Sequence, residues 1–377
     1  MIPFNKPYMT GDELVYIAEA HANGVLAGDG QFTKQCHYWL EKEMGCIKAL
    51  MTHSCTAALE LAALLINIKP GDEVIMPSYT FVSTANAFVL RGGVPVFVDI
   101  RRDTLNIDER LIEDAITPHT KAIIPVHYAG VACEMDTIME IARNHNLFVI
   151  EDAAQGIMSS YKGQMLGSIG HMGCLSFHET KNIISGEGGA LLINDDRFIE
   201  RAEIIRDKGT DRSRFFRGSV DKYTWQDIGS SFLPGEITAA FLLAQLEKAQ
   251  HITDKRILIW NKYHDAFREL EVTDQVRLPI IPNGCRHNAH MYYLLLHSNV
   301  DRDSFIKNMN AKGVDCIFHY VPLHLSNAGR NFGRNHGNLS ITENHARYLV
   351  RLPFWVELTK EKQAKVIHTV FEVLKEL

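Results

Sequence analysis

Phe148-Val149-Ile150-Glu151-Asp152 is a short apolar run that ends in two carboxylates and is followed by Ala153-Ala154-Gln155. Comparable apolar runs recur between about residues 46 and 200 and alternate with amphipathic stretches, which is typical of a mostly parallel sheet covered by helices. The other predicted strands are Glu73 to Met76, Val94 to Asp99, Ala122 to Val126, Cys174 to Phe177 and Ala190 to Ile193. We therefore predict an α/β fold whose ligand site lies beyond the carboxyl ends of the strands.

Helices are predicted between these strands, at Thr56 to Ile68, Ser83 to Arg91, Glu109 to Ile116 and Met135 to Asn144. A proline-free stretch from Glu236 to about Leu270 carries apolar residues at helical spacing and predicts one long helix. A chain of 377 residues is too long for one simple core. We therefore predict two domains, residues 1–250 and residues 251–377.

Two residues near the strand ends carry chemistry that belongs together. Lys181 lies in Ser176-Phe177-His178-Glu179-Thr180-Lys181-Asn182, and Asp152 ends the strand quoted above. Pyridoxal phosphate needs an amine that holds it as a Schiff base and an anion that keeps its pyridine nitrogen protonated. Lys181 and Asp152 fit these two roles. Taken singly, they would be a solvated surface lysine and an ordinary strand-end aspartate.

The phosphate group of such a cofactor requires several donors in a positive potential. Ser54-Cys55-Thr56 precedes a predicted helix, whose N-terminus offers unpaired N–H groups and the positive end of the helix dipole. Thr56 can add its hydroxyl, and Ser176 can approach from another strand. The alternative is that Ser54 or Thr56 only caps the helix, although capping and phosphate binding can coexist.

Two further residues could contact the cofactor ring. Phe81 follows one strand and precedes a helix, so its ring could stack on the pyridine face, unless it is an ordinary core phenylalanine. Gln155 lies three residues after Asp152, and its amide could hydrogen-bond the ring hydroxyl, unless it is an exposed loop amide.

Composition and motifs exclude several other functions. The net charge of −6 and the lack of a basic run argue against nucleic acid, and no apolar run is long enough to span a membrane. The seven cysteines are odd in number and form no C-x-x-C pair, which fits a reducing, cytoplasmic compartment, as does an N-terminus without a secretory signal. No dinucleotide or phosphate-loop fingerprint occurs. The trio Cys316, His319 and His324 lacks a fourth ligand, so we predict no metal.

The chain resembles the DegT/DnrJ/EryC1/StrS family of pyridoxal-dependent nucleotide-sugar aminotransferases, because it carries in that family's order Thr56, Phe81, Asp152, Gln155, Ser176 and Lys181. The similarity runs from end to end and includes the segments Ile2-Pro3-Phe4, residues 28–33, residues 125–130 and residues 319–324. It implies a fold type I (aspartate aminotransferase-like) subunit with a large mixed-sheet domain and a smaller C-terminal α+β domain. It also implies that Lys181 forms the Schiff base and that two subunits build each active site of a homodimer.

One segment departs from the family pattern and narrows the expected substrate. Many relatives have a Gly-Tyr-Asn-Tyr-Arg type segment that reaches the neighbouring subunit's phosphate, whereas this chain has Gly229-Ser230-Ser231-Phe232-Leu233. Ser231 can still donate a hydrogen bond, but Leu233 supplies no cation. With residues 176–181, this segment is most similar to members that use dTDP-4-keto-6-deoxyglucose and L-glutamate to make an amino sugar for surface polysaccharide. Candidate walls of the sugar pocket are His127, His319 and His324.

Three alternatives remain open on sequence alone. The substrate could be another nucleotide-linked keto sugar, such as a 3-keto isomer, a gluco epimer or a UDP-sugar. A pyridoxal-dependent sugar dehydratase typically has histidine in place of the Schiff-base lysine, and Lys181 argues against it. A non-catalytic regulator could keep the same fold, because a fold alone does not fix an activity.

Overall fold

The computed structural model describes residues 1–377. Its α-helices are α1 (Glu13–Ala22), α2 (Gln31–Met44), α3 (Cys55–Leu65), α4 (Val82–Val89), α5 (Ile112–Ala115), α6 (Met135–Asn144), α7 (Ile199–Arg206), α8 (Arg212–Phe216), α9 (Glu236–Leu246), α10 (Ala249–Val272), α11 (Arg302–Ala311), α12 (Asn327–Phe332), α13 (Ser340–Tyr348) and α14 (Lys360–Glu376). Its strands are β1 (Lys48–Thr52), β2 (Glu73–Pro77), β3 (Val94–Val98), β4 (Thr120–Ile123), β5 (Phe148–Asp152), β6 (Ser160–Tyr161), β7 (Gln164–Met165), β8 (Met172–Ser176), β9 (Gly189–Ile193), β10 (Val276–Arg277), β11 (Cys285–Arg286), β12 (Tyr293–Leu296), β13 (Arg334–Asn335) and β14 (Leu349–Arg351).

An eight-stranded sheet with the order β1-β9-β8-β5-β4-β2-β3-β13 forms the centre of the molecule. The six strands from β8 to β13 are parallel, and β9 runs antiparallel to both β8 and β1. The strands are apolar along most of their length because helices cover both faces, as the two large clusters of buried apolar side chains show. The predicted mixed-sheet α/β fold is therefore confirmed.

The parallel register brings the ends of three strands to one edge. Asp152 ends β5 and pairs with Cys174 of β8, which continues to Ser176. Ser176 in turn pairs with Gly189, the first residue of the antiparallel β9. The segment 78–81, which follows β2, lies at the same edge. Carboxyl ends of parallel strands are where α/β proteins bind ligands.

A second, smaller core surrounds the antiparallel sheet β10-β12-β14. Side chains of α10, α11 and α14 pack on it, together with Ile2 from the start of the chain. Strand β13 belongs to the C-terminal part of the chain, but it pairs with β3 of the main sheet. The two cores are therefore not built from two continuous segments, and the division at residue 250 stays a prediction.

The structure differs from the sequence prediction at one long helix. The stretch from Glu236 to about Leu270 is broken at residues 247–248, which separate α9 from α10. No proline or glycine marks the break, so it has no local signal in the sequence. No helix of the structure is both long and apolar enough to cross a membrane.

Candidate active site

Asp152 is a buried carboxylate held in place by two donors. The Thr84 hydroxyl donates to Asp152 Oδ2 at 2.7 Å, and the Ala154 N–H donates to Oδ1 at 3.1 Å. The Thr80 hydroxyl lies 2.8 Å from Thr84 Oγ1 and extends this network. Each carboxylate oxygen has a further lone pair, so Asp152 can accept another hydrogen bond from a protonated ring nitrogen.

Lys181 lies near Asp152, and its amine has no hydrogen-bond or ion-pair partner within the chain. Burial lowers the pKa of Lys181, and the positive charge of Arg351 acts in the same direction, whereas Cys55 and Asp152 oppose the shift. A lowered pKa favours the neutral amine, which is the form that reacts with a carbonyl carbon and accepts a proton.

The N-terminus of α3 offers an anion site beside these two residues. Ser54 is the N-cap and accepts a hydrogen bond from the Ala57 N–H at 3.1 Å, while the N–H groups of Cys55 and Thr56 have no partner. Burial raises the pKa of the Cys55 thiol well above its usual range, so Cys55 contributes a backbone donor rather than a charge. The predicted cap and the predicted phosphate donors thus coexist at this helix end.

Gly189 allows this helix end and Ser176 to lie side by side. A Cβ on Gly189 would come within 2.3 Å of the Ser54 carbonyl carbon and 2.4 Å of the Cys55 nitrogen. Gly189 also pairs with Ser176 in the sheet, so β9 lies between β8 and the N-terminus of α3. Only glycine permits so close an approach. The Thr56 hydroxyl donates to Ser83 Oγ at 2.8 Å within the chain. The unpaired N–H groups, the Ser176 hydroxyl, the free amine and the anchored carboxylate fit a pyridoxal phosphate molecule.

Gln155 is buried rather than exposed in a loop. Its Oε1 accepts from the Ala129 N–H at 2.7 Å, and its Nε2 donates to the Tyr320 hydroxyl at 3.0 Å. The second hydrogen on Nε2 remains available to a ring oxygen. Tyr320, for which the sequence predicted no role, adopts a φ of 43°, a backbone conformation that non-glycine residues rarely adopt.

Phe81 is an exposed side chain and not a core residue. It is 57% exposed, and its ring centre lies 6.4 Å from that of Tyr320. The residue occupies the N-cap position of α4, directly after the segment that follows β2. An aromatic ring in this place is free to stack on a planar ligand.

Ser231 lies on the surface. It forms an isolated backbone bridge with Asp207, and its hydroxyl makes no hydrogen bond within the chain. The next residue, Phe232, is buried and accepts a hydrogen bond from the His53 N–H at 3.0 Å. Contacts within the chain therefore hold the backbone at Ser231, but the Ser231 hydroxyl has no hydrogen-bond partner.

Among the three histidines predicted to line the sugar pocket, two have both ring nitrogens bonded within the protein. His127 Nδ1 accepts from the Cys133 N–H at 3.2 Å, so its Nε2 carries the proton and donates to Glu151 at 2.8 Å. His324 bonds the Ser78 hydroxyl at 2.7 Å and Glu343 at 3.2 Å. Both rings are buried, and a place for them in the wall of the sugar pocket stays a prediction.

His319 is the remaining histidine. Its Nδ1 lies 2.7 Å from the Tyr128 hydroxyl, and its ring stacks on Tyr320. Burial lowers the pKa of His319 well below its usual range, with further contributions from the charges of Arg351, His290 and Lys181. His319 is therefore a neutral residue near Lys181, and its place in the wall of the sugar pocket stays a prediction. The structure contains no group of three or more histidine, cysteine, aspartate and glutamate residues that could hold a metal.

Comparisons with known proteins agree with this geometry. The profile of the DegT/DnrJ/EryC1/StrS aminotransferase family matches residues 7–371. GDP-perosamine synthase of Caulobacter vibrioides is 33% identical over 98% of this chain and 97% of its own length. The spore coat polysaccharide biosynthesis protein SpsC of Bacillus subtilis is 32% identical over 99% and 97%.

A solved structure shows the same fold and the same type of chemistry. DesV of S. venezuelae, crystallised with a ketimine intermediate, superposes with a TM-score of 0.88 at 29% identity and covers 97% of this chain and 95% of its own. The cofactor of the site is pyridoxal phosphate, and the protein is a sugar-modifying aminotransferase. The chain belongs to the DegT/DnrJ/EryC1/StrS aminotransferase family.

Proposed function

We propose that this aminotransferase moves the amino group of L-glutamate to C4 of dTDP-4-keto-6-deoxy-D-glucose, giving dTDP-4-amino-4,6-dideoxy-D-galactose for surface polysaccharide. The observation that carries the aminotransferase chemistry is the unpartnered Lys181 amine, with its lowered pKa, beside the anchored carboxylate of Asp152. The choice of sugar rests on the resemblance of residues 176–181 and 229–233 to members that use this substrate.

The bound cofactor supplies an electron-withdrawing ring and a carbon that accepts and releases the amino group. Asp152 holds the proton on the ring nitrogen, and the hydrogen bond from Thr84 keeps that carboxylate oriented. Lys181 Nζ removes the proton from the α-carbon of the donor and, in the second half-reaction, gives a proton to C4 of the sugar. Phe81 and Gln155 fix the plane of the ring between these groups.

A GDP-linked keto sugar is the second candidate acceptor. GDP-perosamine synthase is similar over nearly the whole chain, and its name indicates a GDP-sugar product. The two candidates differ in the nucleotide and share the requirement for a keto group within reach of Lys181.

We also infer that two copies of the chain assemble into a homodimer in which Ser231 of one copy reaches the phosphate site of the other. Its side chain is free, and the neighbouring segment exposes large aromatic side chains, including Phe216 at 70% and Trp225 at 80%. Exposed aromatic clusters of this kind mark interaction surfaces. Light scattering of the purified protein should give twice the chain mass, and a monomer would contradict the shared site.

The visible spectrum of the protein with bound cofactor tests the proposed reaction directly. L-Glutamate should abolish the visible absorption band, and dTDP-4-keto-6-deoxyglucose should then restore it. Mass spectrometry and NMR of the product should show an axial amine at C4. Restoration by the GDP-linked sugar alone would establish the second candidate, and a protein that takes up no pyridoxal phosphate would contradict the site as a whole.

A further inference from the structure

Lys181 lies in a loop that has no regular secondary structure. Residues 177–188 join β8 to β9 and form neither helix nor strand. The Lys181 N–H donates to the His178 carbonyl at 2.9 Å, which makes one turn of this loop. A side chain that carries a proton between two positions works only from a well-fixed backbone, because a displacement of about 1 Å can slow a reaction about 100-fold. The contacts that fix this loop therefore bear on the reaction.

Asn182, the next residue, is buried and ties the loop to a segment of the C-terminal part of the chain. Its Nδ2 donates to the Asn288 carbonyl at 2.9 Å, so its Oδ1 faces His290 Nδ1, which lies 2.9 Å away. Burial lowers the pKa of His290 well below its usual range, and the charges of Lys181 and of two arginines act in the same direction. His290 is therefore neutral, and its single ring proton lies on Nδ1 and is donated to Asn182.

The segment Asn288-Ala289-His290 is itself held firmly. Arg256 of α10 donates from Nε to the Ala289 carbonyl at 3.0 Å and from Nη2 to the His290 carbonyl at 2.7 Å. Ala289 adopts a φ of 50°, a left-handed conformation that residues other than glycine rarely adopt. Such a conformation persists only where the surrounding structure holds it. Asn182 thus bonds to a part of the chain that is fixed by contacts of its own.

The same segment also contacts the loop that carries Gln155. Asn288 Nδ2 donates to the carbonyls of Gln155 and Ile157 at 2.8 and 2.7 Å. A Cβ on Gly130 would overlap Asn288 Oδ1, so only glycine leaves room for this side chain. One buried segment therefore bonds both the loop of Lys181 and the loop of Gln155.

We propose that Asn182 and His290 are positioning residues, which hold Lys181 in place for proton transfer; this role rests on the proposed function, in which Lys181 carries the proton. The Nδ1–H of His290 sets the orientation of the Asn182 amide, and this amide fixes the backbone that carries Lys181. Because Asn288 bonds the Gln155 loop from the same segment, the place of Lys181 is also fixed relative to the residue that we assign to the cofactor ring.

The test uses Asn182→Ala, His290→Leu and His290→Asn, of which the last keeps a donor in the place of Nδ1. Pyridoxal phosphate added to the cofactor-free protein should produce the visible absorption band about 10- to 100-fold more slowly in Asn182→Ala and His290→Leu. His290→Asn should restore this rate to within about threefold of wild type. In single turnovers with L-glutamate, the band of the two slow variants should disappear about 10-fold more slowly, with a glutamate dissociation constant changed less than about twofold. Deuterium at the α-carbon of glutamate should slow these variants more than it slows wild type.

Asn194→Ala is the matched control. Asn194 Nδ2 donates to the carbonyls of Gly167 and Gly170 at 3.0 and 2.9 Å, so it is the same kind of side-chain amide, but it makes no hydrogen bond to the Lys181 loop. Asn194→Ala should lower the melting temperature as Asn182→Ala does and leave the rate of band formation unchanged.

Wild-type rates in Asn182→Ala and His290→Leu would overturn the proposal. So would losses of rate that follow the melting temperature in every variant, the control included. If His290→Leu does not fold, Asn182→Ala and His290→Asn decide the question. A wild-type protein that forms no visible band would instead refute the proposed function.

Discussion

Replacing Gly189 by alanine should weaken the binding of the cofactor through its phosphate group alone. The new Cβ would lie 2.3 Å from the Ser54 carbonyl carbon and 2.4 Å from the Cys55 nitrogen. Both are backbone atoms, so no side chain can rotate away. Because carbon atoms pack at about 3.5–4.0 Å, the N-terminus of α3 and the start of β9 must separate by roughly 1 Å or more.

A displacement of this size is large relative to the hydrogen bonds that we assign to the phosphate. The N–H groups of Cys55 and Thr56 lie on α3, which is forced away from β9, and the hydroxyl of Ser176 lies on β8, the strand that pairs with β9. A hydrogen bond to a charged group contributes about 1.5–3 kcal/mol, and it weakens steeply beyond its normal length. Loss of one such bond should raise the dissociation constant of pyridoxal phosphate by about 10- to 100-fold.

Titration of the cofactor-free protein with pyridoxal phosphate and with pyridoxal measures the effect. Gly189→Ala should bind pyridoxal phosphate more weakly and pyridoxal, which has no phosphate, almost as well as wild type does. Gly235→Ala is the control, because a Cβ there would meet only the Leu26 carbonyl oxygen, at 3.2 Å. Equal affinity of Gly189→Ala and wild type for pyridoxal phosphate would refute the placement of the phosphate between α3 and Ser176.

Three further substitutions test other parts of the structure. Lys181→Ala should abolish turnover but leave the melting temperature within a few degrees of wild type, and substantial residual activity would remove the mechanism. Thr84→Val keeps the side-chain shape but removes the 2.7 Å hydrogen bond to Asp152, so kcat should fall about 10-fold or more while the substrate KM changes little; an unchanged kcat would show that Asp152 needs no support. Glu73 of β2 pairs with Arg334 of β13 at 2.6 Å, and the Arg334 side chain lowers the pKa of Glu73. Since a lowered pKa stabilises the fold only while the carboxylate is ionised, Glu73→Gln should cost about 1 kcal/mol at pH 7, and this cost should shrink as the pH falls through the folded pKa of Glu73; a cost that does not change with pH would exclude the ion pair as the cause.

The sequence located the parts of the site that depend on local order along the chain. Asp152 and Ser176 could be placed because apolar runs end at these residues, and in a parallel sheet such ends share one edge. The N-terminus of α3 was recognisable from Ser54, which is a favoured cap residue and does cap the helix. These signals need no knowledge of which distant residues come together.

The parts that the sequence did not reveal depend on distant contacts. Thr84 lies in the first turn of α4, a common position for a threonine without a catalytic role. Only its contact with Asp152 across the sheet edge shows that it orients this carboxylate. His127 lies in a loop, and its partner Glu151 lies on β5. Because this contact joins two separate elements, the loop sequence could not show that His127 is buried. Arg351 did leave one signal, a charge inside the apolar run Leu349-Val350-Arg351-Leu352-Pro353, which is costly unless a ligand or a partner compensates it.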